Sequence, residues 1–305
     1  MQADLQLIKQ RLFDYAREKI ARDYGFDVPD SPEELSQEVL QSIDQQAVAN
    51  PLNQEYSNDV IFHAVVRTIG SNSRKWTTYL NNSQKIAQIL SDFCVEEVDR
   101  NPPSCFELAS LLPGQSQTAD ACAILSLARK LSERKNYYAS IVQASTEIQN
   151  RFYKHEQCYM PMHKLFLSVV AYFTDPSNGA RSRKWPGMGF PLGSEFLRNL
   201  HWNGFKPDRH IKRILNRWTN DSNFNQEMEP LRRNVQQELE SLQRIIDRRN
   251  STLSDDLRLS LIGMEITPEN HKENFSQFDN LMWLLASYVE KKGKESQCNY
   301  VRRSD

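Results

Sequence analysis

Along most of the chain apolar residues recur at intervals of three and four, the spacing that gives a helix one buried face. Leu5, Ile8, Leu12, Phe13, Tyr15 and Ile20 mark a helix over 3–24 that stops near Gly25. SPEELSQEVLQSI (31–43) opens a second, with Ser31 as N-cap, Pro32 at the first helical position and acids in the first turn. The same spacing predicts helices over 58–70, 82–98, 118–134 and 136–154. MPMHKLFLSVVAYFTD (160–175) is apolar almost all round, which predicts a buried central helix. Residues 226–250 read as a polar helix whose apolar positions are too sparse for a long coiled coil, and FDNLMWLLASYVEKK (278–292) as the last helix. CNYVRRSD at 298–305 reads as a loose tail. No segment alternates convincingly at period two and no unit repeats, so an all-α fold is expected.

Composition adds limits. At 305 residues, 39% hydrophobic and 25% charged, the chain suits one large or two modest globular domains. No run approaches the roughly 18 apolar residues of a membrane span. The start, MQADLQLIKQ, is amphipathic and mixed in charge, unlike a secretory signal. Five cysteines, odd in number and without a C-x-x-C pair, suit a reducing compartment, so a cytoplasmic, non-secreted protein is expected. His155, Cys158 and His163 match no common zinc spacing; Cys158 reads as a core thiol and no metal site is expected.

The net charge of −1 hides an asymmetry. Residues 1–60 hold twelve acids against five bases, whereas residues 179–217 hold nine bases against Glu195 and Asp208. A local basic field matters more to a polyanion than the global sum. On charge alone a solvated helix face explains it equally well.

Inside that basic segment stands RKWPGMGFPLGSEFLRNLHWNGFKPDRHIKRIL (183–215). Gly187-Met188-Gly189 makes a short turn whose following amides sit at a helix N-terminus, where unpaired donors favour an anion such as phosphate. A plain helix–helix turn would look the same. The residues beyond the turn sharpen the reading: an apolar helix, the loop HWNGFK, then Pro207-Asp208-x-His210 at the head of another helix. Asp208 taken alone reads equally as an N-cap.

WPGMG, PLGSEFLRNL and KPDRHI together resemble the helix-hairpin-helix DNA glycosylases, the superfamily of endonuclease III and of the adenine, oxoguanine and alkyladenine glycosylases. The resemblance is carried by residues 160–215. It implies an all-α, two-lobed fold with the DNA cleft between the lobes. Residues 60–200 would form a helical barrel domain ending in the hairpin, and 1–59 with 201–305 the second domain. It implies a monomer acting on double-stranded DNA: a damaged base is flipped out and its N-glycosidic bond hydrolysed, leaving an abasic site.

Asp208 falls on the family's catalytic aspartate, which stabilises the oxocarbenium-like sugar or activates water. Lys184, Gly187, Met188, Gly189, Arg181, Arg183, Lys206, Arg209 and His210 would hold the flanking phosphates, which position DNA without reading its sequence. His210 matches the histidine after the aspartate and reads as structural. Trp185 reads as an apolar cover on the hairpin.

Two departures from the family pattern refine this. Where bifunctional members hold a Schiff-base lysine stands Pro191, which has no amine, so a monofunctional enzyme without lyase activity is expected unless Lys184 or Lys206 substitutes. Only Cys298 lies where relatives place four cluster-binding cysteines, so no iron–sulfur cluster is expected, though a structural monovalent cation at the hairpin is compatible. Tyr137, Tyr138, Phe152, Tyr153, Tyr159, Trp76 and Tyr79 are candidates for the walls of a base pocket, with most of them expected in the core. Helices over 101–160 fit the common repair enzymes poorly, which suggests a divergent specificity for a bulky modified base. The breadth of the family that the chain resembles, not these residues, adds the glucosylated hydroxymethylcytosine of phage DNA as an example. The alternative reading is a non-catalytic helix-hairpin-helix DNA-binding protein.

Overall fold

The computed structural model describes residues 47–72, 76–175, 184–220, 225–246, 251–267 and 269–284. The expected helices over 3–24 and 31–43, Arg181, Arg183 and the expected tail lie outside them. Among the described residues every regular element is helical. The chain divides into two compact units, one of residues Asn50–Trp202 and one that takes the described residues 47–49 and those from Asn203 onward.

The first unit opens with a 3-10 turn, Pro51–Asn53, capped by Asn50. Eight helices follow: α1 Asn58–Gly70, α2 Trp76–Ile89, α3 Val95–Arg100, α4 Cys105–Leu111, α5 Gln117–Ser132, α6 Tyr137–Glu156, α7 Met162–Thr174 and α8 Phe190–Asn199. The α1 start is written locally: the Ser57 hydroxyl accepts from the Val60 amide, and Asp59 sits in the first turn. Asp59 also accepts from the Val95 amide at 2.9 Å, so one carboxylate helps start two helices.

The expected helix over 82–98 is two helices, α2 and α3. Between them Ser91, Asp92 and Phe93 all take left-handed backbone, φ 48°, 51° and 66°, although none is glycine. Asp tolerates that conformation better than most residues, and the Phe93 ring stacks on His63 with centroids 4.3 Å apart. Apolar spacing continues across the break through Leu90, Phe93, Val95 and Val98.

α7 is the buried centre that its composition predicts. Nine of its residues, from Leu165 to Thr174, are buried, and it packs between α6 and α8. The hydroxyls of its buried Ser168 and Thr174 donate to the carbonyls of Lys164 and Val170, which removes the cost of burying them. Gly193 on α8 allows the close approach: a Cβ there would lie 2.5 Å from Thr174 Cγ2.

The second unit contains α9 Arg209–Asn220, α10 Asn225–Ile246, α11 Ser251–Ile266, a 3-10 segment Glu269–Asn274 and α12 Phe275–Leu284. α10 presents Leu231, Val235, Leu239, Leu242 and Ile245, a stripe at helical spacing, and packs along α11. α11, which the sequence reading passed over, is buried from several sides because α9 packs on it as well.

Candidate functional site

The glycine turn lies in the first unit and Asp208 in the second. Trp185 is no cover on the turn but the core beneath it, with 1% of its surface exposed. Its ring stacks on Phe173 at 4.7 Å and meets Phe196 edge-on at 4.7 Å. Its amide donates to the Phe173 carbonyl and its indole N–H to the Tyr137 hydroxyl, both at 3.0 Å. Pro186 and Gly187 then turn the chain, with Gly187 at φ +68°. A Cβ on Gly187 would lie 2.7 Å from Ala123 Cβ on α5, so both backbone conformation and space require glycine.

Gly189 is different: its φ is −86°, and the nearest atom to a Cβ there would be Pro191 Cδ at 4.0 Å. It caps α8 without a side chain. The first turn of α8 therefore offers the amides of Phe190 and Leu192 no intrahelical acceptor, and Pro191 has no N–H to satisfy. Gly187 and Gly189 are exposed and Lys184 half-exposed, whereas the Met188 side chain is buried and its amide donates to the Trp185 carbonyl at 3.3 Å. Met188 thus supports the turn from below; among the described residues expected to contact phosphate, it is the one whose side chain is buried.

Sequence reading missed Lys130. Its Nζ donates to the Lys184 carbonyl at 3.5 Å, tying α5 to the turn across 54 residues. Burial, with Arg134 nearby, lowers the Lys130 pKa. The carbonyls of Lys184, Trp185 and Gly189 accept from Lys130, Met188 and Gly193. Among the described residues no group of three or more His, Cys, Asp or Glu gathers as metal ligands. Cys158 corrects the reading of a core thiol: it is exposed, just past Gln157, whose left-handed backbone ends α6.

Asp208 is held as the N-cap of α9. Its Oδ1 accepts from the amides of His210 at 2.8 Å and Ile211 at 3.0 Å, and its carbonyl accepts from Lys212. Among the described residues Oδ2 takes no hydrogen bond of its own. The segment before Asp208 has no regular structure, so side chains pin it. Asn203 donates to the carbonyls of Lys272 and Glu273 and accepts from the Phe275 amide at 2.6 Å. Ser276 donates to the Gly204 carbonyl, and the Lys206 amide donates to Asp279 Oδ1 at 3.1 Å. The fully buried Phe205 ring occupies the space a Cβ on Gly263 would need, 2.3 Å from its Cε1.

α9 carries Ile211, Ile214 and Leu215 on its buried stripe and bases elsewhere. Not all of those bases are available. Lys212 pairs with the buried Asp256 of α11, whose carboxyl is pushed up by burial and drawn down by that lysine. In the first unit, Arg198 is 1% exposed and pairs with Glu195 at 3.0 Å. The nine bases of 179–217 therefore present a weaker field than their number suggests. Arg209 is exposed and its Nε donates to His210 Nε2 at 3.2 Å. The His210 pKa is lowered by burial, helped by Arg209, Arg213 and Lys206 and opposed by Asp208.

Of the expected pocket aromatics, Tyr137, Tyr138, Phe152 and Tyr79 are core. Tyr138 accepts from the Trp202 indole at 2.9 Å and donates to the Pro51 carbonyl at 2.7 Å, which makes it a strut. Tyr153 and Tyr159 are exposed. No described helix is long and apolar enough to cross a membrane. Comparison with family models, with curated proteins and with solved structures finds no match to this chain.

Proposed function

We propose that the chain is a monofunctional DNA glycosylase of the helix-hairpin-helix kind, with Asp208 as its catalytic carboxylate. The observation that carries this reading is the mounting of Asp208. One oxygen is locked by two backbone amides, the other accepts no hydrogen bond among the described residues, and the segment before it is pinned at Asn203, Gly204 and Lys206. A group that must meet a transient cation works best when held in place beforehand. In the first unit the glycine turn, with the α8 start, and Lys184 suit phosphate. In the second unit Lys206, Arg209 and His210, around Asp208, suit phosphate as well. Arg181 and Arg183 belong to the same proposal.

In the reaction the target nucleotide leaves the stack and its C1′–N bond breaks, the bonding electrons departing with the base. The sugar gains oxocarbenium character, which the Asp208 carboxylate stabilises, and water adds at C1′ as the carboxylate takes its proton. The products are a free base and an abasic site. With Pro191 at the lysine position the strand stays intact. The proposed substrate is a bulky modified base, exemplified by the glucosylated hydroxymethylcytosine of phage DNA, which would make the role one of antiviral defence rather than general DNA repair.

One observation favours a second reading, a DNA-binding protein without chemistry: the N-cap gives Asp208 a sufficient structural reason to be there. Asp208→Asn separates the two, because Asn caps helices as well as Asp does. End-labelled duplexes with different modified bases, including phage DNA with substituted cytosines, are incubated with protein and then treated with alkali or left untreated. Strand breaks only after alkali, lost in Asp208→Asn while DNA binding persists, support the glycosylase. Base release that survives in Asp208→Asn removes it from the chemistry, and binding without breaks moves the reading to the second.

A further inference from the structure

Two of the cysteines stand together. Cys105 opens α4 and Cys122 lies in the second turn of α5, and the two helices pack on each other. The Cys105 thiol donates to the Thr118 carbonyl at 3.6 Å, one turn before Cys122 on the same helix. Helical side chains lean towards the N-terminus, so the Cys122 side chain covers that turn. Cys105 Sγ therefore lies against the turn of α5 from which the Cys122 side chain springs. Both are free, with Cys122 exposed and Cys105 partly so, which leaves them open to small reagents.

We propose that Cys105 and Cys122 form a redox pair that closes to an intramolecular disulfide when it meets a small-molecule disulfide such as oxidised glutathione. One cysteine, as thiolate, attacks a sulfur of the glutathione disulfide. A mixed disulfide forms and one glutathione thiolate leaves. The second cysteine gives its proton to solvent and attacks the protein sulfur of that mixed disulfide, forming the Cys105–Cys122 bond and expelling the second glutathione. Two protein thiols are oxidised and one disulfide is reduced to two thiols, so atoms and electrons balance.

The neighbouring Cys122 thiol, with some burial, raises the Cys105 pKa, so Cys105 rests protonated at neutral pH and the pair closes faster as pH rises. The pair is tied to the glycine turn through α5. The residue after Cys122 is Ala123, whose methyl fills the space beside Gly187, and Lys130 of the same helix bonds the Lys184 carbonyl. A bridge would fasten α4 to the helix on which that turn rests. The pair stands whether or not the protein acts on DNA.

The test uses the full chain and its Cys122→Ser and Cys105→Ser variants, incubated with oxidised glutathione from about pH 7 to about pH 9, then acid-quenched, alkylated and mapped by mass. The expected product of the parent lacks two thiols, carries no glutathione at either site and yields a peptide pair joining Cys105 to Cys122. Each variant should instead keep one glutathione on its remaining cysteine. A second measurement uses phenylarsine oxide, which bridges only neighbouring thiols. It should bind the reduced parent at these residues, block closure and leave them unbridged in either variant. Glutathione retained on both cysteines of the parent, or both left free while exposed Cys158 is modified, overturns the proposal, as does failure of the arsenical to bridge them.

Discussion

Replacing Gly187 with alanine tests the turn most directly, because its cost divides into two calculable parts. An L-residue at φ +68° pays about 1–2 kcal/mol for the left-handed backbone. The new Cβ would also lie 2.7 Å from Ala123 Cβ, well inside ordinary carbon contact. Both atoms belong to short side chains on well-packed elements, so relief requires moving α5 or the turn. Overpacking of that kind costs about 1–3 kcal/mol. The sum, about 2–5 kcal/mol, corresponds in a unit of this size to a fall of roughly 4–20 °C in melting temperature. Ala123→Gly removes the clash but not the backbone cost, so a double-mutant cycle should show a favourable coupling of about 1–3 kcal/mol. Gly189→Ala is the control: with an ordinary φ and open space it should cost at most about 1 kcal/mol. Thermal unfolding of the five proteins decides it. A Gly187→Ala variant as stable as its parent, or a cycle without coupling, would refute the close packing of turn and helix.

Asp208→Ala should lower the stability of the second unit by about 1 kcal/mol through loss of the α9 cap, whereas Asp208→Asn should be near neutral, as urea unfolding of both will show. Tyr137→Phe leaves the buried Trp185 indole N–H without its acceptor and should cost about 1–3 kcal/mol in the same assay. His210 has a folded pKa below its unfolded value, so folding disfavours its protonated form. Its contribution is complete above the unfolded pKa of about 6.5 and is lost as pH falls through the folded value, so His210→Gln should flatten the acid-side decline of stability between pH 7 and pH 5. An unchanged pH profile in that variant would mean His210 is better solvated than its surroundings indicate.

The helices were legible where one face is apolar and a cap residue marks the start. α1 begins at Asn58 behind Ser57 and ends at Gly70, the limits its pattern predicts. α11 was not, because α9 and α10 bury it from several sides and Gly263 resembles a helix breaker; glycine is there to admit the Phe205 ring. The break at Ser91–Phe93 escaped because apolar spacing runs through it. In the candidate site, Asp208 could be singled out and its capping role read from position alone, and the two glycines stood out. Their difference did not, since it depends on Ala123, 64 residues away in the sequence. Lys130, Ser276 and Asp279 carried no local signal for the same reason, and the pairing of Lys212 with Asp256 could not be read from a run of bases.

The pins on the segment before Asp208 also set an order of events during synthesis. They join residues 69 to 73 positions apart, and none comes from nearby in the chain. When Asp208 leaves the ribosome, Asn203, Gly204 and Lys206 have nothing to bind. At about 5–20 residues per second, several seconds pass before Phe275, Ser276 and Asp279 emerge. Until then the cap on α9 can form, because it needs only His210 and Ile211, but the carboxylate it holds has no fixed address. A nascent chain paused before residue 275 would thus carry its basic helix without a placed acid.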